Sequence, residues 1–200
     1  MLRMIDELYT YIMREASKRA SLIVAIDGRC ASGKTTLASE LVHRMDANLL
    51  HMDDFFLRPE QRTLERLAIP GENIDHERFL NEVLLPLKAG NPFSYRPFSC
   101  RSQALCESVT VEPKPVTIVE GSYACHPSLR AHYDLRLFLT VEPTEQMRRI
   151  ERRNGAYAAV FKEQWIPLEE AYFSLCRVRE CCDRVIDSST VIYEEKSKKF

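Results

Sequence analysis

Residues Gly28 to Thr35 read G-R-C-A-S-G-K-T and match the pattern G-x-x-x-x-G-K-[ST] in full. In such a loop the backbone N–H groups surround a phosphate, the lysine reaches the β- and γ-phosphates, and the hydroxyl holds Mg²⁺. We call this segment the phosphate loop. It predicts a site for a nucleoside triphosphate, formed by Gly28, Arg29, Cys30, Ala31, Ser32, Gly33, Lys34, Thr35 and Thr36.

Acidic residues follow two further apolar segments. Asp53 and Asp54 come after Asn48 to Met52, and Glu120 comes after Val116 to Val119. If both segments are parallel strands, these acids lie at the sheet edge where ligands bind. We expect one of the two aspartates to face the transferred phosphate and to accept the proton of an attacking hydroxyl, with its pKa raised by the other carboxylate. Glu120, with Thr35 and Asp53, would position a metal. The alternatives are that the aspartates solvate a loop and that Glu120 is a helix cap or a surface acid.

Four arginines, Arg148, Arg149, Arg152 and Arg153, are concentrated just before Asn154-Gly155. Positive charges at this density repel one another unless an anion lies between them, and phosphoryl transfer uses guanidinium groups at the equatorial oxygens. Arg149 and Arg153 are four residues apart and share a helix face, so we expect them to act in catalysis from a lid over the nucleotide. The alternative is a solvated helix face with structural ion pairs.

The elements around these residues alternate between strands and helices. The apolar run Leu22 to Ile26 precedes the phosphate loop as a buried strand, and Thr36 to Val42 follows it as a helix. Further strands are predicted at residues 48–52, 116–119, 135–139 and 184–187. Alternation of this kind indicates an α/β fold with a parallel sheet that is covered by helices on both faces.

Between these elements lie segments that could form the walls of a substrate site. Residues 57–73 carry Pro59, Pro70 and Gly71 and are predicted to be a long surface excursion. Asp75 should cap a following helix. Residues 91–115 predict a small β-hairpin insertion. Helices are expected at 144–153 and 168–182, with a helical lid at about 144–165, and the tail from Glu194 to Phe200 should fray.

The composition limits the function classes. The 200 residues carry 28 basic and 29 acidic side chains, which nearly cancel, so no global field attracts nucleic acid or an anionic membrane. The length suits one domain, residues 1–200. No apolar stretch approaches 20 residues and no leader pattern is present, so we expect a soluble cytoplasmic protein without a membrane partner. The oligomeric state stays open, with a homo-oligomer as one option.

The seven cysteines are odd in number and have no paired C-x-x-C spacing, which argues against a disulfide framework and a zinc site. Reduced thiols are the expectation. Cys30 is a partial exception, because it lies in the phosphate loop near a helix N-terminus and Lys34, where a thiol pKa can fall.

The combination of motifs resembles the uridine kinase, phosphoribulokinase and nicotinamide riboside kinase superfamily of P-loop kinases. The resemblance runs from about Leu22 to Asp187 and rests on the phosphate loop together with the segments M-D-D-F-F at 52–56, I-D-H at 74–76 and V-E-G at 119–121. It implies a P-loop NTPase-type sheet, with ATP and Mg²⁺ as cosubstrate and cofactor. It also implies a small-molecule acceptor.

The resemblance also implies roles for single residues. Asp53 looks like the catalytic base, Asp75 like a residue that binds ribose hydroxyls, and Glu120 like the acid near Mg²⁺. His76 either assists at the sugar or faces solvent at a helix N-terminus. Tyr95 falls where uridine kinases carry an aromatic residue that contacts the base.

The hairpin departs from the uridine kinase pattern, which usually continues from that tyrosine with aspartate and soon a histidine and an arginine. This chain reads Tyr95-Arg96-Pro97-Phe98-Ser99-Cys100-Arg101. Arg96 and Arg101 could meet an anionic acceptor or have structural roles. We expect phosphorylation of a nucleoside 5′-hydroxyl. The alternatives are another acceptor, such as a sugar phosphate or nicotinamide riboside, and an NTP-hydrolysing switch protein without an acceptor.

Overall fold

A computed structural model describes residues 2–190 and shows a five-stranded parallel sheet with the order β2-β7-β1-β8-β9. The sheet strands are β1 (Leu22–Gly28), β2 (Ala47–His51), β7 (Val116–Glu120), β8 (Leu135–Thr140) and β9 (Arg184–Asp187). Strand β1 lies at the centre, where Val24 is in register with Ile118 on one side and Leu135 on the other. The predicted α/β class is confirmed, and all five predicted strands are present.

The helices are α1 (Leu2–Ala16), α2 (Lys34–His43), α3 (Leu64–Leu67), α4 (His76–Phe79), α5 (Leu85–Ala89), α6 (Pro143–Asn154), α7 (Ala158–Val160), α8 (Ile166–Leu175) and α9 (Val178–Cys181). Two π-helical segments, Leu80–Leu84 and Phe161–Trp165, join α4 to α5 and α7 to α8. Among the described residues, no helix combines the length and the apolar character that crossing a bilayer requires.

The alternation of β1 side chains divides the core into two layers. Leu22, Val24 and Ile26 pack with apolar residues of α1 and α2, whereas Ile23 and Ala25 face the layer that contains Phe79 of α4 and residues of α8. Every residue of β1 is buried, as expected for a central parallel strand with helices on both faces. The carboxyl ends of β1, β2 and β7 therefore meet at one edge of the sheet.

The hairpin insertion is formed by two short antiparallel pairs. β3 (Phe93–Tyr95) pairs with β6 (Val109–Val111), and β4 (Phe98–Ser99) pairs with β5 (Ala104–Leu105). The two pairs are nested, so the predicted hairpin is present with an interruption after Tyr95. Phe93, Tyr95 and Val111 pack into the core layer that also contains Phe79.

Two predicted helices differ from the observed ones. The helix expected at 168–182 is two helices, because Arg177 adopts left-handed backbone angles (φ 50°) between α8 and α9. The helix after Asp75 begins as predicted, and the Asp75 side chain accepts a hydrogen bond from the Arg78 amide, but it passes through a π-helical segment before Leu85. The tail from Glu194 to Phe200 lies outside the described residues.

Candidate active site

A cavity of about 800 Å³ opens at the carboxyl edge of the sheet. Six of the nine residues predicted to bind the triphosphate line this cavity: Cys30, Ala31, Gly33, Lys34, Thr35 and Thr36. Asp53 and Glu120 line the same cavity, as do all four clustered arginines. The structure thus brings together the three groups of residues that the sequence singled out.

The phosphate loop depends on residues with positive φ. Gly28 ends β1 at φ 137°, and a Cβ atom there would lie 2.0 Å from the carbonyl oxygen of Leu139. Gly33 (φ 93°) and Ala31 (φ 57°) shape the turn into α2. Lys34 is buried, and its Nζ donates to the carbonyl oxygens of Gly28 at 2.6 Å and Arg29 at 2.9 Å. These contacts hold the ammonium group under the loop.

Arg29 and Ser32 make contacts away from the cavity. The Arg29 guanidinium donates to Glu170 at 2.6 Å and to the carbonyl oxygen of Val141 at 2.9 Å. Ser32 is fully buried, and its carbonyl oxygen accepts a hydrogen bond from the Ser188 hydroxyl at 2.7 Å. Arg29 and Ser32 therefore hold the phosphate loop in place through contacts on the side away from the cavity.

The Cys30 thiol does not have the low pKa that its place in the loop predicts. Burial, together with the nearby charge of Glu169, raises the pKa of Cys30 to about 12. This expectation was wrong because the thiol is buried and because a carboxylate from α8 lies beside it in the loop. Glu169 is buried and accepts hydrogen bonds from the Cys30 amide at 2.9 Å and the Ser122 hydroxyl at 2.5 Å.

The two aspartates after β2 point in different directions. Asp53 lines the cavity, whereas the Asp54 carboxylate accepts a hydrogen bond from the Tyr95 hydroxyl at 3.1 Å. Burial within the cleft raises the pKa of Asp53, and the charge of Glu120 adds to this effect, while Lys34 opposes it. The predicted direction of the shift is thus present, although Glu120 contributes more to it than Asp54.

Glu120 ends β7 next to the last residue of β2. Its Oε1 lies 2.6 Å from Nδ1 of His51, and this contact raises the pKa of His51. Glu120, Asp53 and Thr35 offer carboxylate and hydroxyl oxygens to the same cavity, and oxygen ligands are those that Mg²⁺ prefers. The donor set at this edge therefore fits the magnesium ion that the family resemblance implies.

A buried carboxylate, Asp27, lies directly behind the phosphate loop. It accepts hydrogen bonds from the Gly28 amide at 2.6 Å, the Cys125 amide at 2.8 Å and the Tyr172 hydroxyl at 2.8 Å. Burial raises the pKa of Asp27 to about 6 even with these donors. Asp27 thus connects the end of β1 to the segment after β7 and to α8.

The four arginines share the cavity but differ in how they are held. Arg149 is buried, and its guanidinium donates to the carbonyl oxygen of Ser188 at 2.7 Å and to Glu145 at 2.7 Å. Arg148 pairs with the same glutamate at 2.6 Å. The Arg153 guanidinium lies 5.6 Å from the ring centre of Phe161. The anion expected between these charges is thus partly supplied by Glu145, and Arg149 is buried whereas the other three arginines are exposed.

Asp75 and His76, predicted to meet a sugar, lie outside the residues that line the cavity. Asp75 is buried, caps α4 and accepts a hydrogen bond from the Gln61 side chain at 2.8 Å. The His76 ring stacks on His126 at 4.1 Å and faces Glu72 at 3.1 Å. The structure gives both residues roles in holding the excursion, residues 57–73, against the body of the protein.

Tyr95 and Arg96 also have partners within the protein. Tyr95 is buried, and its ring centre lies 5.2 Å from that of Phe55. The Arg96 guanidinium donates to the carbonyl oxygens of Cys106 at 2.7 Å and Leu105 at 2.9 Å. In this structure, Arg96 fixes the hairpin, and neither side chain is among those that line the cavity.

Several residues that line the cavity were not assigned to the site individually from the sequence, although four of them lie in the two segments predicted as its walls. They are Arg62 and Asn73 from the excursion, Cys100 and Gln103 from the hairpin, and Trp165 and Glu169 from the helices after the arginines. Arg62 donates to the carbonyl oxygen of Leu57 at 2.9 Å. Among the described residues, no carboxylate lies within ion-pair distance of the Arg62 guanidinium. Its location in a long proline-containing segment was the only hint.

Comparisons with known proteins bear on this arrangement. A uridine kinase from Macrococcus caseolyticus is 30% identical to the chain over 141 residues, which are 65% of this chain and 68% of that protein. The chain belongs to the uridine kinase-like superfamily of P-loop kinases. No family model matches it.

Other relatives of this superfamily are more distant or longer. Uridine-cytidine kinase C from Dictyostelium discoideum is 25% identical over 135 residues, which cover 64% of the chain but only 29% of that protein. A solved structure described as a possible uridine kinase from Bacillus stearothermophilus has a TM-score of 0.65 at 20% identity, over 90% of this chain and 100% of the other. This last likeness supports the uridine kinase-like fold.

Proposed function

We propose that this chain is an ATP- and Mg²⁺-dependent kinase that phosphorylates the 5′-hydroxyl of a nucleoside, acting in the cytoplasm. One observation carries the proposal: the phosphate loop and the Asp53 carboxylate line the same cavity, and its volume of about 800 Å³ suits two small ligands together. A nucleotide site alone accounts for the metal-binding Glu120 at the end of β7, but not for a second carboxylate, Asp53, after β2 beyond it.

The chemistry follows from what each side chain can do. The loop amides and Lys34 hold the β- and γ-phosphates, while Arg149 and Arg153 place positive charge near the transferred group. Asp53 accepts the proton of the acceptor hydroxyl as the oxygen attacks phosphorus in line. Its raised pKa suits this role, because a base with a higher pKa takes the proton more readily.

The magnesium ion would be held by Thr35, Glu120 and Asp53. When bound, Mg²⁺ neutralises charge on the phosphates during transfer. The His51 ring orients the Glu120 carboxylate through the 2.6 Å contact. His51 therefore supports the metal site without lining the cavity itself.

A phosphorylated acceptor is the second candidate, and Arg62 is the observation that favours it. Arg62, Cys100 and Asp53 line the same cavity, and the charges of Arg62 and Asp53 both act on the Cys100 thiol, whose pKa burial raises. An arginine that pairs with no carboxylate among residues 2–190, in the same cavity as the proposed base, suits an anionic group on the acceptor. The uridine kinase relatives favour the nucleoside.

The third candidate, a switch protein without an acceptor, has less support. Side chains of the excursion and the hairpin, including Arg62 and Gln103, extend the cavity beyond the phosphate loop. A protein that only hydrolyses its nucleotide would not require this extension. Acceptor-dependent ADP formation separates the two classes.

The test is a coupled assay of ADP release from ATP and Mg²⁺ with uridine, cytidine, nicotinamide riboside or ribulose 5-phosphate. We expect release that depends on a nucleoside and a product that carries a new 5′-phosphate. Release with the sugar phosphate alone would select the second candidate. Release that no acceptor changes would overturn the kinase proposal.

A further inference from the structure

Three cysteines that are far apart in sequence meet behind the phosphate loop. Cys125 lies in the segment after β7, Cys181 is the last residue of α9, and Cys182 follows it. The sulfur atoms of Cys125 and Cys182 are 3.9 Å apart, and both cysteines are reduced. A disulfide needs the sulfurs at about 2 Å, so they must approach each other for the bond to form.

The surroundings of this pair suit oxidation. Cys125 is fully buried, while Cys181 and Cys182 are partly exposed, so an oxidant can reach the α9 side of the pair first. Hydrogen bonds from Cys125 and Cys182 lower the pKa of Cys181, and Arg130 and Arg136 lower it further. The pKa of Cys182 is raised: the hydrogen bond from Cys125 lowers it, but the hydrogen bond that Cys182 donates to Cys181 and its burial outweigh that effect. The thiolate of the cluster is therefore Cys181, which adjoins Cys182 and can accept the proton that Cys182 loses when it attacks.

We propose that Cys125 and Cys182 form a reversible disulfide when the protein meets a hydroperoxide. The Cys182 sulfur attacks the outer peroxide oxygen, the O–O bond breaks, and a sulfenic acid and one water or alcohol form. The Cys125 sulfur then attacks the sulfenic sulfur, the S–O bond breaks, and water leaves. The two thiols lose two electrons and two protons, which the hydroperoxide receives.

The bond would form next to the network that supports the phosphate loop. The Cys125 amide donates to Asp27 at 2.8 Å, and the other oxygen of Asp27 accepts from the Gly28 amide at 2.6 Å. A disulfide that moves Cys125 would therefore also move Gly28, the first residue of the phosphate loop, because both backbone amides donate to Asp27. We expect oxidation to lower ATP affinity severalfold, an effect that a thiol reductant reverses.

The test maps disulfides by mass spectrometry after treatment with hydrogen peroxide and blocking of free thiols under native conditions. We expect a peptide pair that joins Cys125 to Cys182 and that disappears after reduction. Cys182→Ser should abolish the pair. Cys176→Ser and Cys181→Ser should retain it, because neither removes a sulfur that forms the bond.

Two results would overturn the proposal. One is oxidation confined to the exposed Cys100 and Cys106 while Cys125 stays reduced. The other is a bond from either partner to Cys181 in place of the proposed pair. The mapping does not depend on catalysis, so it remains decisive even if the kinase assay finds no acceptor. The ATP affinity, measured by calorimetry on the oxidised wild type and on oxidised Cys182→Ser, tests the link to the loop.

Discussion

The carboxylate of Glu169 accepts a hydrogen bond from the Cys30 amide inside the phosphate loop, at 2.9 Å. A buried negative charge at this position repels the phosphates of an incoming nucleotide. The same hydrogen bond connects α8 to the phosphate loop. We therefore expect Glu169 to lower the affinity for the nucleotide, an effect that the sequence did not reveal.

Glu169→Gln should strengthen ATP binding. The substitution removes the charge but keeps an oxygen that can accept from Cys30, and we expect a gain of about 1 kcal/mol, roughly fivefold in Kd. Calorimetric titration with ATP measures it. Glu163→Gln is the matched control, because Glu163 is exposed and is not among the residues that line the cavity. Equal affinities for wild type and Glu169→Gln would show that the carboxylate does not oppose the nucleotide.

Asp27 gives the stability of the protein a defined pH dependence. Its folded-state pKa of about 6 lies above the ordinary 3.8, so the folded protein binds this proton more tightly than the unfolded chain. The stabilisation is complete below the unfolded pKa and is lost as pH rises through the folded one. For this group alone, the free energy of unfolding should fall by about 1.4 kcal/mol between about pH 5 and pH 7.5.

Denaturant titrations of wild type and Asp27→Asn at both pH values isolate this contribution. The difference in unfolding free energy between the two proteins should change by that amount, because their other titratable groups are shared. A difference that is the same at both pH values would contradict the raised pKa.

Gly28→Ala should destabilise the fold severely. The new Cβ would lie 2.0 Å from the Leu139 carbonyl oxygen, at a φ of 137° that side chains rarely adopt. We expect a loss of more than about 3 kcal/mol in the free energy of unfolding. Gly90→Ala is the control, since Gly90 has a φ of 69° and open space around it, and it should lose about 1 kcal/mol. Similar losses for the two variants would show that the contact with Leu139 is relieved at little cost.

Lys34→Ala should weaken nucleotide binding and abolish transfer. The lysine is the charged donor of the loop, and loss of a charged hydrogen bond costs about 1.5–3 kcal/mol, roughly 10- to 150-fold in Kd. Lys114→Ala is a matched control, because Lys114 pairs with Asp46 away from the cavity. Wild-type ATP affinity in Lys34→Ala would place the nucleotide elsewhere.

The sheet and the nucleotide cradle could be predicted because their signals are local. Leu22 to Ile26 is an apolar run of strand length, and the loop pattern requires glycines at fixed positions around one lysine. The break in the helix predicted at 168–182 could not be predicted from a local signal. Arg177 adopts its left-handed conformation between segments that both favour helix, and no glycine marks the turn.

The acceptor side of the cavity was less predictable because it depends on tertiary contacts. Asp75 was assigned to ribose hydroxyls from the family resemblance, and Arg96 to an anionic acceptor or a structural role where the hairpin departs from it. In the structure these side chains hold a helix end and the hairpin. Arg62 reaches the cavity from a segment without periodicity, and Glu169 from a predicted helix whose packing against the phosphate loop the sequence does not report. Charge and spacing along the chain do not distinguish a side chain that faces a cavity from one that supports its wall.

The central claim is that Asp53 is the base for a hydroxyl acceptor held beside the phosphate loop. Its most direct test compares Asp53→Asn with Asp54→Asn, since only Asp53 lines the cavity and Asp54 accepts a hydrogen bond from Tyr95. Acceptor-dependent ADP release should fall by about 10²- to 10⁴-fold in Asp53→Asn, with ATP affinity nearly unchanged, whereas Asp54→Asn should keep most of its turnover. Wild-type turnover in Asp53→Asn, or a larger loss in Asp54→Asn, would contradict the account.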